Sequence, residues 1–284
     1  MTDAAVTVIG ATSKLGQNLI RRLTADGRRV IPLARNIRAL PDEQQAQARY
    51  FDLTQPDSLR TALLDAQQVV SCVQAHEGAT VVAALPKTIG RVVLMGSTRI
   101  FSRYPDPKIE LQKAAVDALA RSGLPGVVLH PTMIYGGPVD VNVQRIAAYI
   151  RKFGLVPLPD GGGMLLQPIH TDDMVSCILA ALERDTALGD PIIVAGPEEI
   201  SYRKLVQAIG QVIGKHPFIL PLPILVLQAV AMLTSIVPRL PTIRIDEVRR
   251  LGEDKTFPID GMLTRLGITP IGIQDGLRRT FPTA

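Results

Sequence analysis

Val6-Thr7-Val8-Ile9-Gly10-Ala11-Thr12-Ser13-Lys14-Leu15-Gly16 is an apolar, β-branched run that breaks at one glycine and re-enters regular structure at a second. Residues 5–9 read as a short strand. Residues 15–25 have helical periodicity through Leu15, Leu19, Ile20 and Leu23. A strand that turns tightly into a helix leaves free N–H groups at the positive end of the helix dipole, which is a seat for a pyrophosphate. Gly10 permits the turn, and Gly16 lets helix and strand pack closely. Ser13 stands where a middle glycine usually lets the backbone approach the phosphates. Serine is a small replacement, and its hydroxyl is itself a donor. Gly10, Thr12, Ser13, Lys14, Leu15 and Gly16 are therefore the candidate phosphate contacts.

The same alternation continues outward. Further strands are expected at 29–34, 48–52, 68–73, 91–95 and 126–130, with helices at 56–64, 79–85 and 109–122 between them. The strands are continuous apolar runs, as strands covered on both faces should be. Parallel strands need crossover connections, so the pattern predicts an α/β fold, a Rossmann-type doubly wound parallel sheet. After Tyr135 the regularity loosens. Helices at 141–153, 174–183 and 202–213, a glycine turn at 161–163 and a strand at 191–195 suggest a smaller C-terminal substrate lobe. The expected division is 1–136 for the dinucleotide-binding core and 137–284 for the lobe, partly threaded back onto the core.

The end of the second strand decides the nucleotide. An Asp or Glu there binds the ribose hydroxyls of NAD. This chain has Pro32-Leu33-Ala34-Arg35-Asn36 instead. With no acid present, Arg35 is placed to pair with a 2′-phosphate through a charge-assisted fork, and Lys14 adds to the positive field. NADP is the expected cofactor, with NAD left open.

Composition narrows the remaining classes. The 284 residues carry a net charge of +5 without a Lys/Arg run, and with only 4% aromatics and no Trp the chain lacks a nucleic-acid face. Cys72 and Cys177 form no metal-ligand spacing, and the four histidines are dispersed, so no metal site is expected. A soluble protein of a reducing cytoplasm is the expectation. The start, Met1-Thr2-Asp3, lacks the basic region of a signal peptide. Residues 218–237 are nearly uncharged and apolar, but Pro221, Pro223 and Pro238 confine their helical part to a length short of a bilayer span. A buried or interface helix, a homodimer or partner contact, and a membrane-surface contact are the readings open for that segment. No G-x-S-x-G elbow supports a hydrolase.

Several motifs occur in a telling order: the Gly10 to Gly16 loop, Phe51-Asp52-Leu53, Val93-Leu94-Met95-Gly96-Ser97, His130-Pro131-Thr132-Met133-Ile134-Tyr135-Gly136, Gln167-Pro168-Ile169-His170-Thr171-Asp172-Asp173 and Gly196-Pro197-Glu198-Glu199-Ile200-Ser201-Tyr202. Together they resemble an atypical extended short-chain dehydrogenase/reductase of the NAD-dependent epimerase/dehydratase family, close to members like the NADH-dehydrogenase accessory subunit. The resemblance implies that Asp52 and Leu53 contact the adenine, that Pro131 lines the cofactor, and that a Ser, a Tyr and a Lys assist hydride transfer. Ser97 matches the serine, and Lys113 matches the lysine. The tyrosine position is then Ile109, which transfers no proton. Tyr104 and Lys108 satisfy Y-x-x-x-K literally, but Pro105 and Pro107 keep them off one helix face. Tyr135 is the substitute acid/base to consider. His170 reads as a structural residue ahead of a Thr171-Asp172-Asp173 helix cap. Two functions follow. One is an NADP-dependent oxidoreductase or epimerase acting on a carbonyl or nucleotide-sugar-like substrate. The other is a catalytically silent NADP-binding redox sensor or assembly protein.

Overall fold

The computed structural model describes residues 4–104, 106–137, 140, 142–184, 192–223, 225–226 and 253–282. The chain divides into two compact units. The first comprises Met1–Thr132, Thr171–Ala195 and Pro258–Pro270, and the second Met133–His170, Gly196–Phe257 and Ile271–Ala284. Where one boundary at 136/137 was expected, with part of the lobe threaded back onto the core, the chain crosses between the units five times, because two later segments complete the first unit.

The first unit holds strands β1 (Val6–Ile9), β2 (Val30–Ala34), β3 (Arg49–Tyr50), β4 (Gln68–Ser71), β5 (Arg91–Met95) and β6 (Gly126–Pro131). The second unit contributes β7 (Ile134–Tyr135), β8 (Leu155–Pro159), β9 (Leu165–Leu166) and β10 (Ile169–His170). Strand β11 (Ile192–Val194) returns to the first unit, and β12 (Ile200–Ser201) and β13 (Phe218–Leu222) belong to the second. A seven-stranded sheet of order β11-β6-β5-β4-β1-β2-β3 is parallel throughout. The expected strand at 48–52 shrinks to two residues. It lies on the edge, where only β2 pairs with it, with Tyr50 exposed and Arg49 half-buried against Asp65 and the Ala62 carbonyl.

Helices in chain order are α1 (Lys14–Ala25), α2 (Asp42–Gln45), α3 (Pro56–Leu63), α4 (Gly78–Ala84), α5 (Pro107–Ser122), α6 (Asn142–Phe153), α7 (Thr171–Glu183), α8 (Tyr202–Val212) and α9 (Ile273–Thr280). Helix α1 buries Leu19, Ile20 and Leu23, the stripe its periodicity announces, and stops at Gly27 in the left-handed region. Helix α5 starts two residues ahead of the expected Ile109. Asp106 accepts from the Lys108 amide as N-cap, and Pro107 fills the first position, where its missing N–H costs nothing. Gly123 (φ 67°) ends it.

The core of the first unit is a continuous apolar cluster that includes Ile9, Leu33, Val69, Val92, Leu94 and Val128. The second unit has its own core, built on Val143, Ile150, Leu158, Leu205, Ile209 and Leu277. Residues 218–222 of the apolar segment form a strand, and the rest of its expected helix falls outside the described residues apart from Leu225 and Val226. Among the described residues, no helix is long and apolar enough to cross a membrane.

Candidate functional site

Strand order reverses between β1 and β4, and ligands in such sheets bind in the crevice that opens at the carboxyl ends of the strands there. Register sets the floor of that crevice. Ile9 lies opposite Ser71 and Leu33, Ser71 opposite Leu94, and Leu94 opposite Val128. The segments that leave this level carry the candidate residues: Gly10 to Gly16 after β1, Arg35 after β2, Cys72-Val73 after β4, Gly96-Ser97 after β5, and Thr132 after β6.

The loop after β1 is held by its own backbone. The amides of Gly10 and Ala11 donate to the Leu33 carbonyl, and the Ser13 amide donates to the Gly10 carbonyl at 2.9 Å. Ser13 caps α1, its Oγ accepting from the Gly16 amide at 3.0 Å. Accepting leaves the hydroxyl proton free to donate. None of the described groups accepts from the amides of Thr12, Lys14 and Leu15, so three backbone donors remain at the positive end of α1. Gly10 has φ 79°, and a Cβ there would sit 3.1 Å from Cys72 and Val73 backbone atoms. A Cβ on Gly16 would lie 2.6 Å from the Gly10 carbonyl oxygen. The loop thus has the free donors and the close backbone approach that a dinucleotide pyrophosphate needs.

Beside it, Arg35 is exposed at the tip of β2. Asp52 lies within its field. The Thr54 amide and hydroxyl, at 2.9 and 2.8 Å, hold the Asp52 carboxyl below the usual range, and the charge of Arg35 adds to this. Leu53 is half-buried next to it. The structure therefore gathers Arg35, Asp52 and Leu53 on the β2–β3 side of the loop, while Pro131, the last residue of β6, is buried.

The candidate residues for hydride transfer are not gathered in the same way. The Ser97 Oγ accepts from the Arg99 amide at 3.2 Å, capping a short turn of helix at Thr98–Phe101. Lys113 is exposed on α5, its Nζ 2.8 Å from the Glu110 carboxylate. The inward positions of the same helix are Ile109 and Gln112, both buried. Tyr104 is exposed and precedes the helix, so it shares no face with Lys108. Tyr135 belongs to the second unit, where it is fully buried. Its ring meets that of His170 edge to face at 5.3 Å, and its hydroxyl lies against Gly276. His170, beside it in the β7–β10 pairing, is buried.

His130 is a residue to which the sequence reading gave no role. It is fully buried in β6, its Nδ1 3.3 Å from the Ser97 amide nitrogen and 3.2 Å from the Ser97 carbonyl oxygen. Depending on tautomer, the ring accepts from the first or donates to the second. Burial pushes its pKa below the ordinary 6.5, against a smaller opposing pull from the Ser97 backbone, so the ring is neutral. A Cβ on Gly96 would meet this ring at 2.5 Å. The clue in the sequence was a single imidazole inside the apolar run Gly126-Val127-Val128-Leu129-His130. Burial also pushes both thiols, Cys72 and Cys177, up to about 12, so neither is a nucleophile. Among the described residues no group of His, Cys, Asp and Glu could hold a metal.

Comparison with known proteins agrees with this geometry. Residues 10–153 match the family described as NAD(P)H-binding. An uncharacterized protein of Mycobacterium tuberculosis is 27% identical over 219 residues, 72% of this chain and 23% of its own length. The mitochondrial NADH dehydrogenase [ubiquinone] 1 alpha subcomplex subunit 9 of Arabidopsis thaliana is 24% identical over 81% of this chain and 63% of its own length. The chain thus spans about a quarter of the first relative and under two thirds of the second. The structure of UDP-glucuronic acid 4-epimerase from Bacillus cereus, in complex with UDP-glucuronic acid and NAD, superimposes with a TM-score of 0.74. It covers 98% of both chains at 15% identity, a likeness of fold.

Proposed function

The chain belongs to the NAD(P)H-binding family, and from that premise we propose that it binds NADPH and holds it without the Tyr–Lys proton relay of the short-chain dehydrogenases. The observation that carries the nucleotide choice is the tip of β2, where exposed Arg35 stands in place of a ribose-binding carboxylate. The free amides of Thr12, Lys14 and Leu15 take the pyrophosphate, and Arg35 takes the 2′-phosphate. The missing relay is supported by α5, whose inward position at the tyrosine site is Ile109 and whose Lys113 is turned outward to Glu110. A general acid must reach the proton it transfers. Neither Ile109 nor an exposed, carboxylate-paired Lys113 meets that requirement. A redox-sensing or complex-supporting protein is the function this reading favours.

A second reading, an oxidoreductase or epimerase on a carbonyl or nucleotide-sugar-like substrate, draws on Ser97 at the end of β5. In that reading Ser97 polarises the substrate, and the proton comes from solvent.

Fluorescence titration with NADPH and NADH tests the first reading. Binding of NADPH at least about tenfold tighter, ~1.4 kcal/mol, is expected. Equal affinities would remove the 2′-phosphate assignment, and no binding at sub-millimolar concentration would remove the cofactor. Turnover of bound NADPH with a panel of carbonyl compounds and nucleotide sugars would replace the first reading by the second.

A further inference from the structure

Strands β8 and β13 pair in parallel in the second unit, Phe218 opposite Leu155 and Leu222 opposite Pro159. Their sequences, Leu155-Val156-Pro157-Leu158-Pro159 and Phe218-Ile219-Leu220-Pro221-Leu222, contain no polar side chain. Successive side chains point to opposite faces. Val156, Leu158 and Ile219 fill the core of the unit. Of the alternate set, Leu155 and Phe218 are exposed, Pro157, Leu220 and Leu222 are half-buried, and Pro159 is buried. Leu155 is 37% exposed and Phe218 65%, and Phe153, at the end of α6 next to them, is 48% exposed. A strand pair with one face in water alternates apolar with polar residues. This pair is apolar on both faces, so its outer face is built to be covered.

The charge around the face says by what. Among the described residues of α6, β8, α8 and β13 the charged side chains are Arg145, Arg151, Lys152, Arg203 and Lys204, all basic, with Lys215 ahead of β13; the exposed acid at the pair is Asp160, after β8, whose amide donates to the Leu222 carbonyl. Arg151, Lys152 and Lys215 are exposed beside the patch. Lys152 Nζ lies 5.1 Å from the centre of the Phe153 ring, and the Arg151 guanidinium lies 5.6 Å from that of Phe281. Among the described residues, none of the three cations pairs with a carboxylate. A second copy is a poor cover, because a two-fold contact sets each patch against itself and brings the cations onto one another. Exposed aromatic and aliphatic side chains rimmed by unpaired cations match the boundary of an anionic bilayer.

We propose that this face rests on a membrane surface bearing anionic lipids. Phe153, Leu155 and Phe218 enter the boundary between headgroups and acyl chains, and Arg151, Lys152 and Lys215 meet lipid phosphates and carboxylates. The contact lies on the bilayer and does not span it.

The test is co-sedimentation of the full chain with vesicles of phosphatidylcholine alone and with about one third phosphatidylserine. Binding at least about tenfold tighter to the anionic vesicles is expected, weakened by salt. Phe218→Glu and the double variant Lys152→Glu/Lys215→Glu should each lose about tenfold or more. NADPH titration of the same variants, expected to match the parent chain, shows that they are folded and separates this inference from the cofactor reading. Failure to sediment with anionic vesicles, equal binding to neutral ones, or undiminished binding of Phe218→Glu would overturn it. So would a dimer, seen by mass measurement, that Phe218→Glu dissociates in a chain that binds no vesicles.

Discussion

Two parallel strand pairs in this protein are almost equally apolar and live in different surroundings. β1 and β4, in the first unit, are buried along their whole length, with every residue of both strands below the surface. β8 and β13, in the second, have an inner face in a core and an outer face that holds Leu155 and Phe218 in the open. Apolar sequence therefore reports that a strand is meant to be covered and leaves open what covers it. For β1 and β4 the cover is the chain's own helices. For β8 and β13 the proposed cover of the outer face is a membrane surface.

The largest expected effect separates the two pairs directly. Val70→Asp, in β4, puts an unpaired carboxylate among Rossmann strands and should cost about 4 kcal/mol or more, enough to abolish cooperative thermal unfolding. Phe218→Glu, in β13, should change stability by no more than about 0.5 kcal/mol. Equal losses in calorimetry would break the comparison and place Phe218 in a core.

The next effect sharpens the account of the loop that β1 delivers. In Gly16→Ala the new Cβ meets the Gly10 carbonyl oxygen at 2.6 Å, and relief of that contact moves the pyrophosphate seat. A loss of about 1–3 kcal/mol in stability is expected, together with a loss of NADPH affinity in titration. Unchanged affinity would take the loop out of the site. Arg35→Ala should be smaller and selective: NADPH binding weakens about tenfold, ~1.4 kcal/mol, while NADH binding holds. Equal weakening of both nucleotides would show Arg35 acting on something other than a 2′-phosphate.

The smallest effect concerns pH. Burial depresses the His130 pKa in the folded chain below its ordinary 6.5. Above pH 6.5 both the folded and unfolded chains carry the ring neutral. As pH falls below 6.5 the unfolded chain binds a proton that the folded chain refuses. Stability is therefore lost from there down to the folded pKa. His130→Gln should flatten that part of a denaturation profile measured against pH. A slope equal to that of the parent chain would mean that His130 is not its source.

Much of the first unit was legible because its signals are local. The Gly10–Gly16 turn, the stripe of α1 and the apolar runs of β4 to β6 each lie within a few consecutive residues, and alternation of such elements implies a parallel sheet. The absence of an acid after Ala34 was equally local. The second unit was harder to read. β7 and β10 are two residues each, and so are β9 and β12, too short for any period to show. Strand β13 lay hidden at the start of a segment noticed for its hydropathy. The role of His130 was invisible because its partner, Ser97, is 33 residues away in the chain.

Short-range pattern carried the strand–turn–helix of the phosphate loop, the parallel sheet and the presence of Arg35 where an acid would follow the second strand. Each of these is a property of residue type at short spacing. Tertiary structure decided which later segments complete the first unit, that Lys113 turns to Glu110, that Tyr135 is buried against His170, and that Leu155 and Phe218 are exposed. Those outcomes depend on which distant segments pack together. Burial and pairing between such segments are set by the balance of the whole fold, which no window of sequence contains.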